Sequence, residues 1–62
     1  AITIEIPIEG DASETADILL SYLLKNGYKE PEGDVTDERV AIGNNYSLYI
    51  DTNGNGLEIR FN

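Results

Sequence analysis

Cysteine, histidine, methionine and tryptophan are all missing from this chain. Without cysteine there is no disulfide framework and no thiol nucleophile. Without histidine there is no imidazole base. Without either there is no zinc, haem or iron–sulfur site of the usual ligand types. Basic residues are scarce: 4 Lys and Arg stand against 12 Asp and Glu, for a formal net charge of -8. That sign argues against direct contact with nucleic acid or an anionic membrane, since both are polyanions. No apolar run approaches the roughly 18 residues that a membrane helix needs. The first ten residues carry neither the basic start nor the apolar block of a secretory signal. The lack of cysteine fits a reducing, cytoplasmic location.

At 62 residues the chain reads as one domain spanning 1–62. What it does have is well ordered. Ile2, Ile4, Ile6 and Ile8 alternate with Thr3, Glu5, Pro7 and Glu9. Period two in β-branched residues predicts a strand with one buried face. Pro7 lacks an N–H, so the strand ends there or lies at a sheet edge.

Gly10 breaks this pattern. Asp11, followed three residues later by Glu14, has the spacing of a capping box. From Asp11 to Asn26 the period is helical. Ala12, Ala16, Leu19 and Leu23 form one stripe, flanked by Leu20 on one side and by Thr15 and Tyr22 on the other. Glu14, Asp17, Ser21 and Lys25 lie opposite, and Ile18 and Leu24 leave the border greasy. Asn26-Gly27 is a stop, because Gly27 can take a left-handed conformation.

Residues 29–38 read as a polar crossover, with room for one helical turn around Thr36 to Arg39. Three short strands follow. Val40 and Ile42 are expected to face inward, as are Leu48 and Ile50, and then Leu57, Ile59 and Phe61, while Tyr46 suits the rim of the core. Gly43-Asn44-Asn45 and the segment from Asp51 to Gly56 form the turns. The expected fold is α+β, with elements in the order β-α-β-β-β. It is a four-stranded, mainly antiparallel sheet with one helix packed on one face. The helix stripe should cover Ile2, Ile4, Ile6, Ile8, Val40 and Ile42 together with the inward residues of the last two strands. Thr3, Glu5, Ser47, Tyr49, Glu58 and Arg60 should occupy the open face.

One stretch has metal-ligand spacing. Asp51-Thr52-Asn53-Gly54-Asn55-Gly56 matches the first half of an EF-hand loop, in which oxygen donors at positions one, three and five converge on calcium. Asp51, Asn53 and Asn55 would be the ligands of a weak site. The second half fails, because Asn62 stands where a bidentate Glu belongs. The same six residues also suit a hairpin turn. No cofactor is expected. Catalysis is not expected either: Ser13, Ser21 and Ser47 have no histidine to activate them, and no glycine-rich loop has the lysine and helix of a phosphate site.

The remaining signal is the placement of acid. One set is Glu9, Asp11, Glu14 and Asp17, which also complements a helix N-terminus. The other is Glu30, Glu32, Asp34, Asp37 and Glu38. With Glu5, Tyr49 and Glu58 of the open face, these are the candidate partner-binding residues. A small, acidic, cysteine-free domain carrying these two sets resembles the anti-CRISPR and nucleic-acid-mimic inhibitors of phages and other mobile elements. The likeness is one of size and charge. It implies a monomeric inhibitor whose carboxylates fill a basic nucleic-acid-binding groove of a host protein, for instance a type I CRISPR surveillance complex. A protein-interaction module that docks through the open sheet face or a sheet edge is the alternative. A small calcium-binding domain is the second alternative.

Overall fold

The computed structural model describes residues 2–32 and 39–62. Strand β1 (Ile2–Pro7) leads into helix α1 (Ala12–Lys25), and strands β2 (Arg39–Ile42), β3 (Ser47–Asn53) and β4 (Gly56–Phe61) follow. The four strands form one antiparallel sheet in the order β1-β4-β3-β2. The expected α+β architecture is therefore the observed one. The helical turn expected around Thr36 to Arg39 falls largely outside the described residues, and Arg39 itself belongs to β2.

Local chemistry sets the helix ends. The Asp11 carboxylate accepts hydrogen bonds from the Ser13 and Glu14 amides at 2.9 and 3.2 Å, satisfying two donors that the first turn leaves over. At the other end Gly27 has φ +95° and the Tyr28 amide donates to the Leu23 carbonyl at 3.1 Å. This is a Schellman-type stop, and glycine supplies the left-handed residue that it requires.

The core is small. Ala12, Ala16, Ile50 and Leu57 are buried together, with Ile8, Leu19, Leu20 and Leu23 packed around them. Ala16 and Ala41 have no exposed surface at all. These small residues let α1 lie close over β2 and β3. Tyr46 closes one end of this layer, its ring 6.1 Å from those of both Tyr28 and Phe61.

Two expectations about the helix face are corrected. Val40 and Ile42 do not lie beneath the helix. Val40 pairs with Tyr49 and Ile42 with Ser47, and opposed residues of an antiparallel pair share a face. Arg39 and Ala41 take the helix side, opposite Ile50 and Leu48. Secondly, Ile2, Ile4 and Ile6 lie on the helix side but are not covered. They remain 64%, 43% and 39% exposed. The helix packs on β2 and β3 and reaches β4, and no Cα of α1 comes within 8 Å of one in β1. The reason is width. A helix is about 10 Å across and strands are about 4.8 Å apart, so one helix shields about two strands.

Candidate functional site

The uncovered strand β1 offers free backbone groups on its outer side. The Ile8 amide donates to the Asn55 carbonyl at 3.0 Å. Polar backbone groups alternate sides along an antiparallel strand, so Ile2, Ile4 and Ile6 turn theirs toward β4. Thr3 and Glu5 turn their N–H and C=O outward, and so does Pro7 with its C=O alone. Pro7 thus sits where its missing N–H would have faced away from the sheet, an edge-strand position that tolerates it. The opposite margin differs. There the Ile42 amide donates to the Lys29 carbonyl at 2.8 Å, and the Lys29 amide donates back at 3.0 Å. The segment after α1 thus caps part of β2, while β1 has no neighbour on its outer side among the described residues.

Beside that margin is an apolar shelf. On α1, Asp17 and Ser13 contact Arg39 of β2, which fixes that flank of the helix toward β2. At 100° per residue, Thr15 and Tyr22 then occupy the opposite flank, facing β4 and β1, with Ile18 just above them. Tyr22 is 63% and Ile18 62% exposed. With Ile2, Ile4 and Ile6 of β1 they make up the exposed apolar residues of this side of the molecule. At the Pro7 end of β1, a groove of about 450 Å³ is lined from both faces of the sheet, by Ile6, Ile8 and Leu57 on the helix side and by Glu5, Pro7 and Asn53 on the other.

The other face of the sheet carries charge. Glu5 pairs with Glu58, and Glu58 pairs with Asp51. Three carboxylates therefore stand in one row across three neighbouring strands. Like charges directly opposite one another repel. Among the described residues one cation answers them: Arg60 Nη2 lies 3.4 Å from Asp51 Oδ2 and its guanidinium 5.2 Å from the centre of the Tyr49 ring. Glu5 and Glu58 make no ion pair among the described residues.

The sequence-predicted residues divide accordingly. Glu5, Tyr49 and Glu58 share the open face, as expected. In the first acidic set, Asp11 is spent on the helix cap and Asp17 on Arg39, whose Nε is 2.7 Å from Asp17 Oδ1. Glu9 and Glu14 are exposed. In the second set, Glu30 and Glu32 are exposed, and Asp34, Asp37 and Glu38 lie outside the described residues. Asp51 to Gly56 forms a hairpin, in which Asn53 pairs with Gly56 across Gly54-Asn55. Asp51 and Asn53 are strand residues here, and Gly54, at φ +62°, is the one residue of the turn with positive φ. No three acidic side chains converge as a metal cluster among the described residues.

Sequence reasoning missed the shelf. The signal was present in the run of alternating isoleucines, which is too far from a single helix to be covered by it.

Fold and surface together define a one-helix α+β domain with an open strand margin. No protein-family model, curated protein or solved structure matches the chain.

Proposed function

We propose that this chain works by binding another protein, through the free margin of β1 and the apolar shelf beside it. One observation carries the reading: a strand with all six residues exposed, three of them isoleucine, at the outer side of the sheet. Exposed isoleucine adds little stability to a small domain and invites aggregation, and a working contact surface accounts for its presence. The surrounding carboxylates keep the free protein soluble and select for a basic partner.

A second reading keeps the same partner class and moves the contact. The repelling row of Glu5, Glu58 and Asp51 suits a polyanion surrogate that fills a groove built for nucleic acid, as in the mobile-element inhibitors. No membrane contact is proposed; among the described residues, no helix is long and apolar enough to cross a membrane.

The two are separated by comparing what immobilised wild-type protein and two variants capture from bacterial lysate. Ile4→Thr alters the shelf and keeps a β-branched residue. A Glu5→Gln, Glu58→Gln pair removes charge from the row. A protein retained by the charge variant and lost with Ile4→Thr supports the shelf. The reverse pattern, with elution by moderate salt and competition by DNA, supports the polyanion surrogate. Capture indifferent to both changes overturns both.

A further inference from the structure

We propose that β1 accepts an extended segment of its partner as a fifth strand, and that this segment alternates apolar residues with Lys or Arg. The inference rests on the shelf reading and specifies the chemistry of what binds there. Three observations converge on it. The outward groups are two complete donor–acceptor pairs, at Thr3 and Glu5, followed by the lone carbonyl of Pro7. A guest strand therefore finds a ladder of defined length that stops at Pro7. Residues of the guest opposite Ile2, Ile4 and Ile6 fall on the helix side and extend the shelf, so apolar side chains belong there. Residues opposite Thr3 and Glu5 fall on the other face. There the row of Glu5, Glu58 and Asp51 ends at the sheet margin in Glu5, a carboxylate with no ion pair among the described residues. A cation opposite Glu5 relieves the repulsion that the row builds up.

Charge also decides against a second copy of this chain as the occupant. Pairing β1 with itself about Ile4 sets Thr3 opposite the Glu5 of the other copy. That arrangement completes the ladder but brings no cation to the row. It also joins two chains that each carry a net charge of -8. A basic amphipathic strand satisfies the ladder, the shelf and the row at once.

The test uses the whole chain, labelled with nitrogen-15, and a synthetic peptide of alternating valine and lysine about seven residues long. A matched peptide of valine and glutamate is the control. The lysine peptide should shift the amide resonances of residues 2–7 and slow hydrogen exchange at Thr3 and Glu5. Its affinity should fall several-fold as salt rises from low to physiological strength. Thr3→Pro should abolish binding while leaving the melting transition near that of wild type, because it removes an outward N–H and no ladder bond to β4. Glu5→Lys should weaken binding at least several-fold and provides a second variant should Thr3→Pro not fold. Shifts spread over Glu9, Glu14 and Glu32 that Thr3→Pro leaves unchanged would mean diffuse charge attraction and overturn strand addition. Equal binding of the glutamate peptide would overturn the basic pattern, and absence of binding at millimolar peptide would overturn the whole proposal. A dimer in sedimentation that strengthens with salt and is lost in Thr3→Pro would make a second copy the occupant. None of these results touches the lysate comparison, so the parent reading stands or falls separately.

Discussion

Arg39 of β2 holds Asp17 of α1, its Nε donating to Oδ1 at 2.7 Å, and its Nη2 reaches Ser13 Oγ at 2.8 Å. This clamp orients the helix. It directs one flank of α1 to β2 and leaves the other, with Tyr22, open above β1. Arg39 is mostly covered while Asp17 is two-thirds exposed, so the two partners should not weigh equally. Asp17→Asn should cost less than about 1 kcal/mol, the usual value of a solvent-screened pair. Arg39→Ala should cost about 1–2 kcal/mol, because it also removes the Ser13 contacts and the packing of the side-chain stem. Chemical denaturation of both single variants and the double variant gives the coupling.

The position of Arg39 also shows where the sequence stopped being readable. Helix limits, strand count and hairpin order were legible, because Asp11, Gly27 and the alternating isoleucines each carry a local physical preference. The face of β2 was not. If Gly43-Asn44-Asn45 were a three-residue turn, Ile42 would oppose Tyr46 and face the helix. Instead Gly43 pairs with Tyr46, its amide donating to the Tyr46 carbonyl at 2.9 Å, and the turn has two residues. One residue of register reverses every side chain of the strand. Tertiary contacts then favour the outcome. Ala12 and Ala16 bring the helix close, Ala41 fits beneath it, and Arg39 finds Asp17. The uncovered shelf was hidden for a similar reason, since alternation tells which face of β1 is apolar but not how far the helix reaches.

Isoleucines at the two kinds of site should respond differently to truncation. Ile50 is 1% exposed and belongs to the core. Ile50→Ala should cost about 2–5 kcal/mol, enough to threaten folding of so small a domain. Ile2 is 64% exposed, and Ile2→Ala should fall within about 0.5 kcal/mol of wild type. Thermal melts of the two variants check this. A large loss at Ile2 would mean that something covers β1 in solution.

Two glycines of the β3–β4 hairpin should differ in the reason for their sensitivity. A Cβ at Gly56 would lie 2.8 Å from the Ile6 carbonyl oxygen, so Gly56→Ala must push β1 away from β4. A cost of about 1–3 kcal/mol is expected from such overpacking against backbone. At Gly54 a Cβ meets open space, but φ is +62°. Gly54→Ala should cost about 1–2 kcal/mol through the left-handed backbone alone. Gly54→Asn should recover part of that, since asparagine tolerates this conformation. An asparagine at position 56 should bring no such recovery.

Alkali should loosen the aromatic end of the core. The Tyr28 hydroxyl shares a hydrogen bond with that of Tyr46, and this contact, followed by desolvation and the nearby Tyr46 charge, raises the Tyr28 pKa above its ordinary 10.0. A phenol whose pKa is higher in the folded than in the unfolded chain binds its proton more tightly when folded. Its contribution is therefore complete below the unfolded value and is lost as pH rises through the folded one. Stability should decline above pH 10 more steeply in wild type than in Tyr46→Phe, which cannot share the bond. Ultraviolet titration of tyrosinate alongside circular dichroism follows both events.

The charge row on the open face should reveal itself through a stabilising substitution. Glu58 stands between Glu5 and Asp51 on adjacent strands. Glu58→Gln removes a repulsion on each side and should raise stability by a few tenths of a kcal/mol. Glu58→Lys reverses both terms, and the gain should approach about 1 kcal/mol at low salt. High salt screens exposed charges, so the advantage of Glu58→Lys over Glu58→Gln should shrink as ionic strength rises. A cation placed within the protein also competes with any cation offered by a guest strand. Glu58→Lys should therefore bind the valine–lysine peptide less well than wild type while being the more stable protein. Were stability and peptide affinity to rise together, the row would have no part in recognition.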